Sequence, residues 1–396
     1  MNNVWPTKAL SEACEIKPSK REARDNVSGD ALVSFLPMEA MGIGEKFVQA
    51  TQTKPLSAVA GSYTYFADGD VLLAKITPCF ENGKLGIVDG LTNGIGFGSS
   101  EYIVFRPGKT LSNEWLYYYL SREAFREEGA ARMSGAVGHK RVAKEFIETY
   151  PIPVPPLLEQ RRIVGILDEA FEGIATATAN AEKNVQNASA LFESHLQAVF
   201  TQGGKGWVET TLGAVCDFVG GSQPPKSVFE KTKTSDNIRL IQIRDYKSDK
   251  HIVYIPRSQA RRFCNVEDVM IGRYGPPIFQ ILRGLEGAYN VALMKAVPVE
   301  TQLARDFLFY FLKHSAILQY VIYRSERAAG QSGLTKETLE PYPIALPSLT
   351  VQQKLVEGIK ELEMETKRLG SIYQQKLAAL AALKKSLLHQ AFSGNL

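Results

Sequence analysis

Few residues in this 396-residue chain stand at spacings that could do covalent chemistry. A nuclease site needs an acidic pair with a lysine close behind it on adjoining strand positions, and Asp70 with Lys75 offers a single acid. Asp70 and Asp268 therefore read as turn residues that open a strand. Gly94-Ile95-Gly96-Phe97-Gly98 imitates a phosphate cradle, but a strand is expected after it instead of a helix, so it reads as a glycine loop between strands. Gly275-Pro276-Pro277-Ile278 has paired prolines without the amide and aromatic neighbours that would hold a target amine for methyl transfer, and reads as a tight turn. His139, His195, His251, His314 and His389 show no metal-ligand spacing, and Cys14, Cys79, Cys216 and Cys264 form no CxxC pair. No catalytic residue, metal or cofactor is expected, and the four thiols read as reduced core groups.

The elements that such residues would hang on are written twice. Tyr150-Pro151-Ile152-Pro153-Val154-Pro155 recurs as Tyr342-Pro343-Ile344-Ala345-Leu346-Pro347, 192 residues on. The same displacement carries Gln160, Ser194, Leu196 and Phe200 onto Gln352, Ser386, Leu388 and Phe392, and Trp115-Leu116-Tyr117-Tyr118 onto Phe307-Leu308-Phe309-Tyr310. Further upstream the register drifts: Trp5, Leu10 and Cys14 answer to Trp207, Leu212 and Cys216 at 202, and Asp70-Val71 to Asp268-Val269 at 198. Loops in that part must differ between the copies.

Each copy begins with short apolar and β-branched runs bounded by Gly and Pro, which predict a mixed α+β domain. Each ends in a Pro-free stretch, about 157–200 and 349–392, rich in Ala, Leu, Glu, Gln and Lys, which predicts one helix of about 65 Å. Apolar or small residues recur at 3 and 4 spacing through Ile163, Leu167, Ala170, Ile174, Ala177, Ala181, Ala188 and Leu191, and again through Leu355, Ile359, Leu362, Thr366, Leu369, Tyr373, Leu380 and Leu383. An Ala-rich seam facing a Leu-rich one predicts that the two helices pair with each other, antiparallel, as a coiled coil; the alternative is two helices lying on separate cores. Prolines at 153, 155, 156, 343 and 347 predict a stiff, extended lead-in to each helix.

Composition is permissive. Forty-six Lys and Arg against 42 Asp and Glu make the chain mildly basic, compatible with nucleic acid without declaring it. The N-terminal residues lack the basic and apolar regions of a secretion signal, and no apolar run reaches the length of a membrane span, so a cytoplasmic protein without a membrane partner is expected.

A domain of irregular sequence followed by Tyr-Pro-Ile-Pro-x-Pro-Pro-Leu-x-x-Gln and a long helix, all repeated once, resembles the layout of the specificity subunit of type I restriction-modification systems. The likeness is carried by Tyr150 to Val164, Tyr342 to Val356, and Gly-Asp-Val-Leu-Leu-Ala-Lys at 69–75 with a partial echo at 268–273. The second copy departs at Val351, where the first has Glu159, and at Glu267, where it has Gly69. The resemblance implies target recognition domains at 1–149 and 204–341, each followed by a hinge and helix, at 150–203 and 342–396. It implies that each domain reads half of a split site on double-stranded DNA, and that the helices space the domains and dock two methyltransferase subunits, to which restriction subunits can be added. The chain itself would not be an enzyme.

Readout of DNA needs donors and acceptors for base edges and cations for phosphates, held on loops beside a rigid core. Three places in each copy meet that need. After the Asp-Val strand stand Lys75, Thr77, Asn82 and Lys84 in one copy and Arg273, Tyr274, Gln280 and Arg283 in the other. Before the hinge stand His139, Lys140 and Arg141, answered by Gln331 and Ser332. The early loops carry Lys17, Lys20, Arg21 and Arg24 in the first copy and Lys226 in the second. A coiled-coil scaffold that never touches DNA, and a stand-alone methyltransferase or nuclease, are the competing readings.

Overall fold

The computed structural model describes residues 5–327 and 333–396. The chain forms two compact units, and each takes a piece of both long helices: residues 1–181 with 375–396, and residues 182–374. The expected partition at 149, 203 and 341 follows the order of segments along the chain; compaction cuts through the helices instead.

The first unit holds two mixed sheets. One runs Cys14–Ile16, Tyr102–Pro107, Val71–Ala74, Leu85–Val88, Phe47–Val48; the other runs Gln52–Pro55, Leu32–Leu36, Ile95–Gly98, Thr64–Ala67. The second unit repeats the plan with two four-stranded sheets, Cys216–Gly220, Leu293–Pro298, Val269–Gly272, Gln280–Leu282 and Tyr254–Pro256, Asn237–Ile241, Gly287–Tyr289, Phe263–Cys264. The run at 94–98, expected as a loop, is a central strand over most of its length. Its glycines make room: a Cβ on Gly96 would stand 2.0 Å from the Phe66 ring, and one on Gly98 2.4 Å from the Leu36 carbonyl.

Each proline lead-in is a strand paired with the first strand of its own domain. Thr7–Ala9 lies antiparallel to Pro151–Pro153, and Val208–Thr211 to Pro343–Leu346. The Tyr150 carbonyl accepts the Leu10 N–H at 3.0 Å and the Tyr342 carbonyl accepts that of Leu212 at 2.9 Å. Stiffness here comes from ladder hydrogen bonds as well as from the fixed φ of proline.

The long helices run Leu157–Gln202 and Leu349–Phe392, as the Pro-free stretches predict. They pair antiparallel. Within the first unit Arg162 donates to the Leu396 carbonyl at 2.7 Å, and Lys384 lies 5.0 Å from the centre of the Phe171 ring. The helix ends also serve as core pieces. Ile163, Val164 and Leu167 share the first core with Leu388 and Ala391, while Val356 and Ile359 share the second with Leu196 and Phe200. The two readings of the helices, seam and core face, are thus both realised, on different stretches. Leu191, Leu369 and Leu383, assigned to the seams from spacing, are exposed; near the ends Phe192, Leu196, Leu387 and Leu388 point inward in their place.

Cys14, Cys216 and Cys264 are buried, and burial pushes their thiols up to about 12, about 12 and about 11. Among the described residues no helix is long and apolar enough to cross a membrane, and no cluster of three or more His, Cys, Asp or Glu could hold a metal ion.

Candidate nucleic-acid interface

Gln160 and Gln352 show how each globular domain is locked to its helix. Both side chains are wholly buried. The Gln160 amide donates to the carbonyls of Thr110 (2.8 Å) and Pro155 (2.7 Å), and its oxygen accepts the N–H of Ser112 (2.8 Å), the residue that opens the helix Asn113–Leu120. Gln352 does the same to Gln302 (2.7 Å), Pro347 (3.0 Å) and Ala304 (2.9 Å) at the start of Arg305–Lys313. One amide satisfies three backbone groups, of which the proline carbonyl lies in a fully buried bond and the other two in part-buried ones. The lock therefore fixes a loop of the globular domain, the proline strand and the first helical turn together.

On this frame the strand ends and the segment before the hinge come together in both copies. The Val142 N–H donates to the Lys75 carbonyl at 2.9 Å, and the Leu334 N–H to the Arg273 carbonyl at 3.0 Å. In the first unit Thr77 and Lys140 join the same contact, through the Thr77 N–H and the Lys140 carbonyl at 3.0 Å. Arg141 grips the Glu101 carboxylate with two bonds of 2.8 and 2.7 Å, and the Lys75 ammonium lies 4.0 Å from it while donating to the Ser100 carbonyl at 2.9 Å. The bond from Arg141 holds Glu101 below the usual carboxylate range. Burial, and then Arg141 and Lys17, push the Lys75 ammonium down. His139 and Lys140 are exposed beside this cluster, so two of the three expected places converge on one surface with Lys17 within electrostatic reach.

Arg21 and Arg24, expected on a loop, sit on the helix Arg21–Asn26 and are exposed. Lys20 donates to the Gly61 carbonyl at 2.9 Å, and Lys84 to that of Met38 at 2.7 Å, so both ammoniums are committed to structure. The Thr77 hydroxyl donates to Glu81 at 3.0 Å. Asn82 is exposed and borders a cavity of about 580 Å³ walled in part by Tyr117, Tyr118 and Phe171.

In the second unit Arg273 is held by the carbonyls of Leu334 (2.8 Å) and Val291 (3.2 Å), with its guanidinium 5.3 Å from the centre of the Tyr274 ring. Gln280 donates to the Pro277 carbonyl at 3.0 Å. Arg283 lies elsewhere: it pairs with Asp306 beneath the Phe309 ring, and Asp306 also takes Lys360 of the second long helix at 2.6 Å. Burial raises the Asp306 carboxyl, but its bonds to Lys360 and Arg283 outweigh that and leave it below its ordinary value. The first unit has a junction at the matching place with the charges reversed, Lys46 standing between Glu114 and Asp168. Gln331 and Ser332 lie outside the described residues.

Lys226 is exposed at the start of the turn Lys226–Val228 and borders an open pocket of about 810 Å³ shared with Gln223, Gln242, Arg244 and Asn290. The last three were not among the residues singled out from sequence. A usable sign was present nearby: residues 226–262 hold ten Lys and Arg against four Asp and Glu, a local excess of six positive charges in a chain whose total is +4.

The family model of the type I restriction modification DNA specificity domain matches residues 2–186 and again 204–375. The chain belongs to that family. The two matches coincide with the two copies of the repeat, so this chain carries two specificity domains. It is 40% identical over 162 residues to the type I restriction enzyme EcoEI specificity subunit of Escherichia coli, a segment covering 41% of this chain and 27% of that one. The likeness to the EcoAI specificity subunit of the same organism is of equal strength, 40% over 162 residues and again 27% of that chain. The matched segment thus spans about a quarter of those relatives. A putative type I restriction enzyme MjaX specificity subunit of Methanocaldococcus jannaschii is 21% identical over 351 residues, covering 83% of this chain and 78% of that one. Two solved structures share the fold at 21% identity. One is a chain from work on complex assembly and conformational transition of the type I R-M system (TM-score 0.79, covering 99% of this chain and 98% of that one). The other is the HsdS subunit from Thermoanaerobacter tengcongensis (TM-score 0.65, covering 100% and 98%).

Proposed function

We propose that this chain is the DNA-recognition subunit of a type I restriction-modification complex and performs no catalysis itself. Each specificity domain reads one half of a bipartite site on double-stranded DNA. The long helices space the halves and dock two methyltransferase subunits, to which restriction subunits can be added.

The observation that carries this reading is the doubled unit itself. A specificity domain with cationic loops is locked through one buried glutamine to a helix, and the same unit recurs with different loops. Locked domains with variable loops suit a protein that keeps one architecture and varies what it reads. Lys17, Arg21, Arg24, His139 and Lys140, all exposed, supply phosphate and base contacts in the first domain; Lys226 and Tyr274, also exposed, supply them in the second. The methylated motif in DNA from cells expressing this chain with its methyltransferase subunits tests the reading. A bipartite motif with an unspecified gap is expected. Exchange of residues 1–149 for another specificity domain should alter one half of it alone. A continuous motif, or both halves changing together, would overturn the proposal, as would duplex affinity that does not fall with salt.

A further inference from the structure

Residues 134–141 of the first domain form a narrow two-stranded finger that is exposed along its whole length. Ser134 and Arg141 make an antiparallel pair: the Ser134 N–H donates to the Arg141 carbonyl at 3.1 Å, and the Arg141 N–H to the Ser134 carbonyl at 2.9 Å. The His139 N–H donates to the Ala136 carbonyl at 2.9 Å and closes the turn at the tip. Gly135 keeps the finger narrow, because its φ of +124° lies in the left-handed region and a Cβ there would stand 2.9 Å from the His139 carbonyl oxygen. The stalk is rooted at the end of the strand Val71–Ala74, through the bonds that tie Lys75 to Val142 and Thr77 to Lys140, and the two bonds from Arg141 to Glu101 brace it from the side. At the tip Val137 is 94% exposed, more than any other large apolar side chain among the described residues.

Charge, width and reach suit this finger to one kind of groove. Residues 129–144 hold Arg132, Lys140, Arg141 and Lys144 and no acidic residue, so the finger carries the field that a polyanion attracts. The major groove of duplex DNA, about 12 Å wide, admits a two-stranded ribbon, whereas the minor groove of about 6 Å does not. The three residues from Ser134 to Val137 reach at most roughly 10 Å at strand spacing, enough for a groove about 8.5 Å deep. What then meets the base edges is an isopropyl group with neither donor nor acceptor. The apolar group that base pairs display in that groove is the C5-methyl of thymine.

We propose that this finger enters the major groove of the half-site read by the first domain, where Val137 specifies one thymine by covering its C5-methyl and Lys140 holds a flanking phosphate. The proposal rests on the reading of the chain as a DNA-recognition subunit.

The complex of the full chain with its methyltransferase subunits tests it, in binding to duplexes in which deoxyuridine replaces each thymine of the bipartite site in turn. Uracil lacks the C5-methyl and keeps the hydrogen-bonding groups. One replacement in the first half-site should weaken wild-type binding roughly 4-fold, the worth of one buried methyl. Val137→Ser should bind the thymine duplex more weakly by the same factor and should no longer distinguish it from the uracil duplex. Replacements in the second half-site should affect both proteins equally, which controls for folding and assembly. Lys140→Ala should weaken all duplexes alike and lower the salt slope by about one. A first half-site without thymine overturns the proposal, as does a Val137→Ser complex that senses every methyl as the wild type does. Weaker binding by Val137→Ser with an unaltered response to uracil overturns it too, since the finger would then lie on phosphates or in the minor groove, and so does a salt slope that Lys140→Ala leaves unchanged. Loss of the methyltransferase subunits from Val137→Ser with duplex binding intact would make the finger a protein contact and is equally fatal. A wild-type complex that selects no bipartite site fails the underlying reading of function, a result separate from any of these.

Discussion

Replacing Gln160 by Met removes three hydrogen bonds and little volume. The Ser112 N–H and the carbonyls of Thr110 and Pro155 are left facing an apolar side chain at a position with no solvent exposure. A buried polar group stripped of its partner costs about 1–3 kcal/mol. Two carbonyls and one N–H together, with some relaxation, should cost about 3–6 kcal/mol. In a unit of this size each kcal/mol moves the melting temperature by roughly 2–4 °C, so the first unit should melt about 6 °C lower at the least. Gln352→Met should do the same to the second unit, because Gln302, Pro347 and Ala304 are left in the same state. Two units need a measurement that separates them. Hydrogen exchange followed by mass spectrometry, read on peptides spanning 105–120 and 297–312, reports each lock in the presence of the other. The expected result is faster exchange in the unit carrying the substitution, with the other unchanged. A loss under about 1 kcal/mol in both variants would refute the lock, since the buried carbonyls of Pro155 and Pro347 alone, stripped of their donor, should cost about that much.

Three other outcomes are expected. Four residues inserted after Ala181 and matched after Tyr373 lengthen the helices by about 6 Å, against about 3.4 Å per base pair, so the gap in the methylated motif should grow by one or two base pairs while both half-sites keep their sequence; an unchanged gap in an active complex sinks the idea of the helices as a ruler. A fragment of residues 1–203 should dimerise, because its own Leu196 and Phe200 are identical in type and repeat position to the Leu388 and Phe392 that its core lacks; a folded, strictly monomeric fragment in analytical ultracentrifugation counts against helix exchange. His314 is buried, and burial holds its imidazole below the ordinary 6.5 despite the opposing bond to the Phe311 carbonyl. The stability it contributes is present above pH 6.5 and lost as the pH falls below that value, so the second unit should loosen between pH 7.5 and 5.5 by exchange at 305–320, and His314→Gln should flatten the dependence.

The sequence disclosed most about the parts that repeat without insertion. The helices, their bounds, the proline lead-ins and the matching Gln160 and Gln352 all fall within the stretch of constant 192-residue displacement, where a residue can be checked against its twin. The candidate interface was less legible because it lies where the register drifts. Gln242 and Arg244 have no twin to be compared with, and the basic excess of 226–262 is reduced by a deficit of two elsewhere and diluted over the length of the chain. Arg283 illustrates a different limit. As a cation after a strand it resembles a phosphate contact, and only the position of Asp306 and Lys360 reveals it as part of the junction with the helix. Leu191 and Leu383 failed as seam residues for a similar reason. Near its ends each helix answers to a globular core as well as to its partner, and the inward face turns accordingly.

The closing of the first core by Leu388, Ala391 and Phe392 sets an order of events during synthesis. Phe392 lies against Trp115 and Tyr119, with ring centres 4.5 and 5.0 Å away, yet it is translated long after them. At ~5–20 residues per second, the interval between Phe200 and Phe392 lasts roughly 10–40 s. Throughout that interval the nascent first domain presents an aromatic vacancy shaped for a helix end. The helix end at hand is the Leu196–Phe200 stretch of another nascent chain, or its own if the helix has not yet straightened. Polysomes crowded on one message therefore hold neighbouring chains in the state most open to exchange, and completion of the second long helix is the step that withdraws each chain from its neighbours.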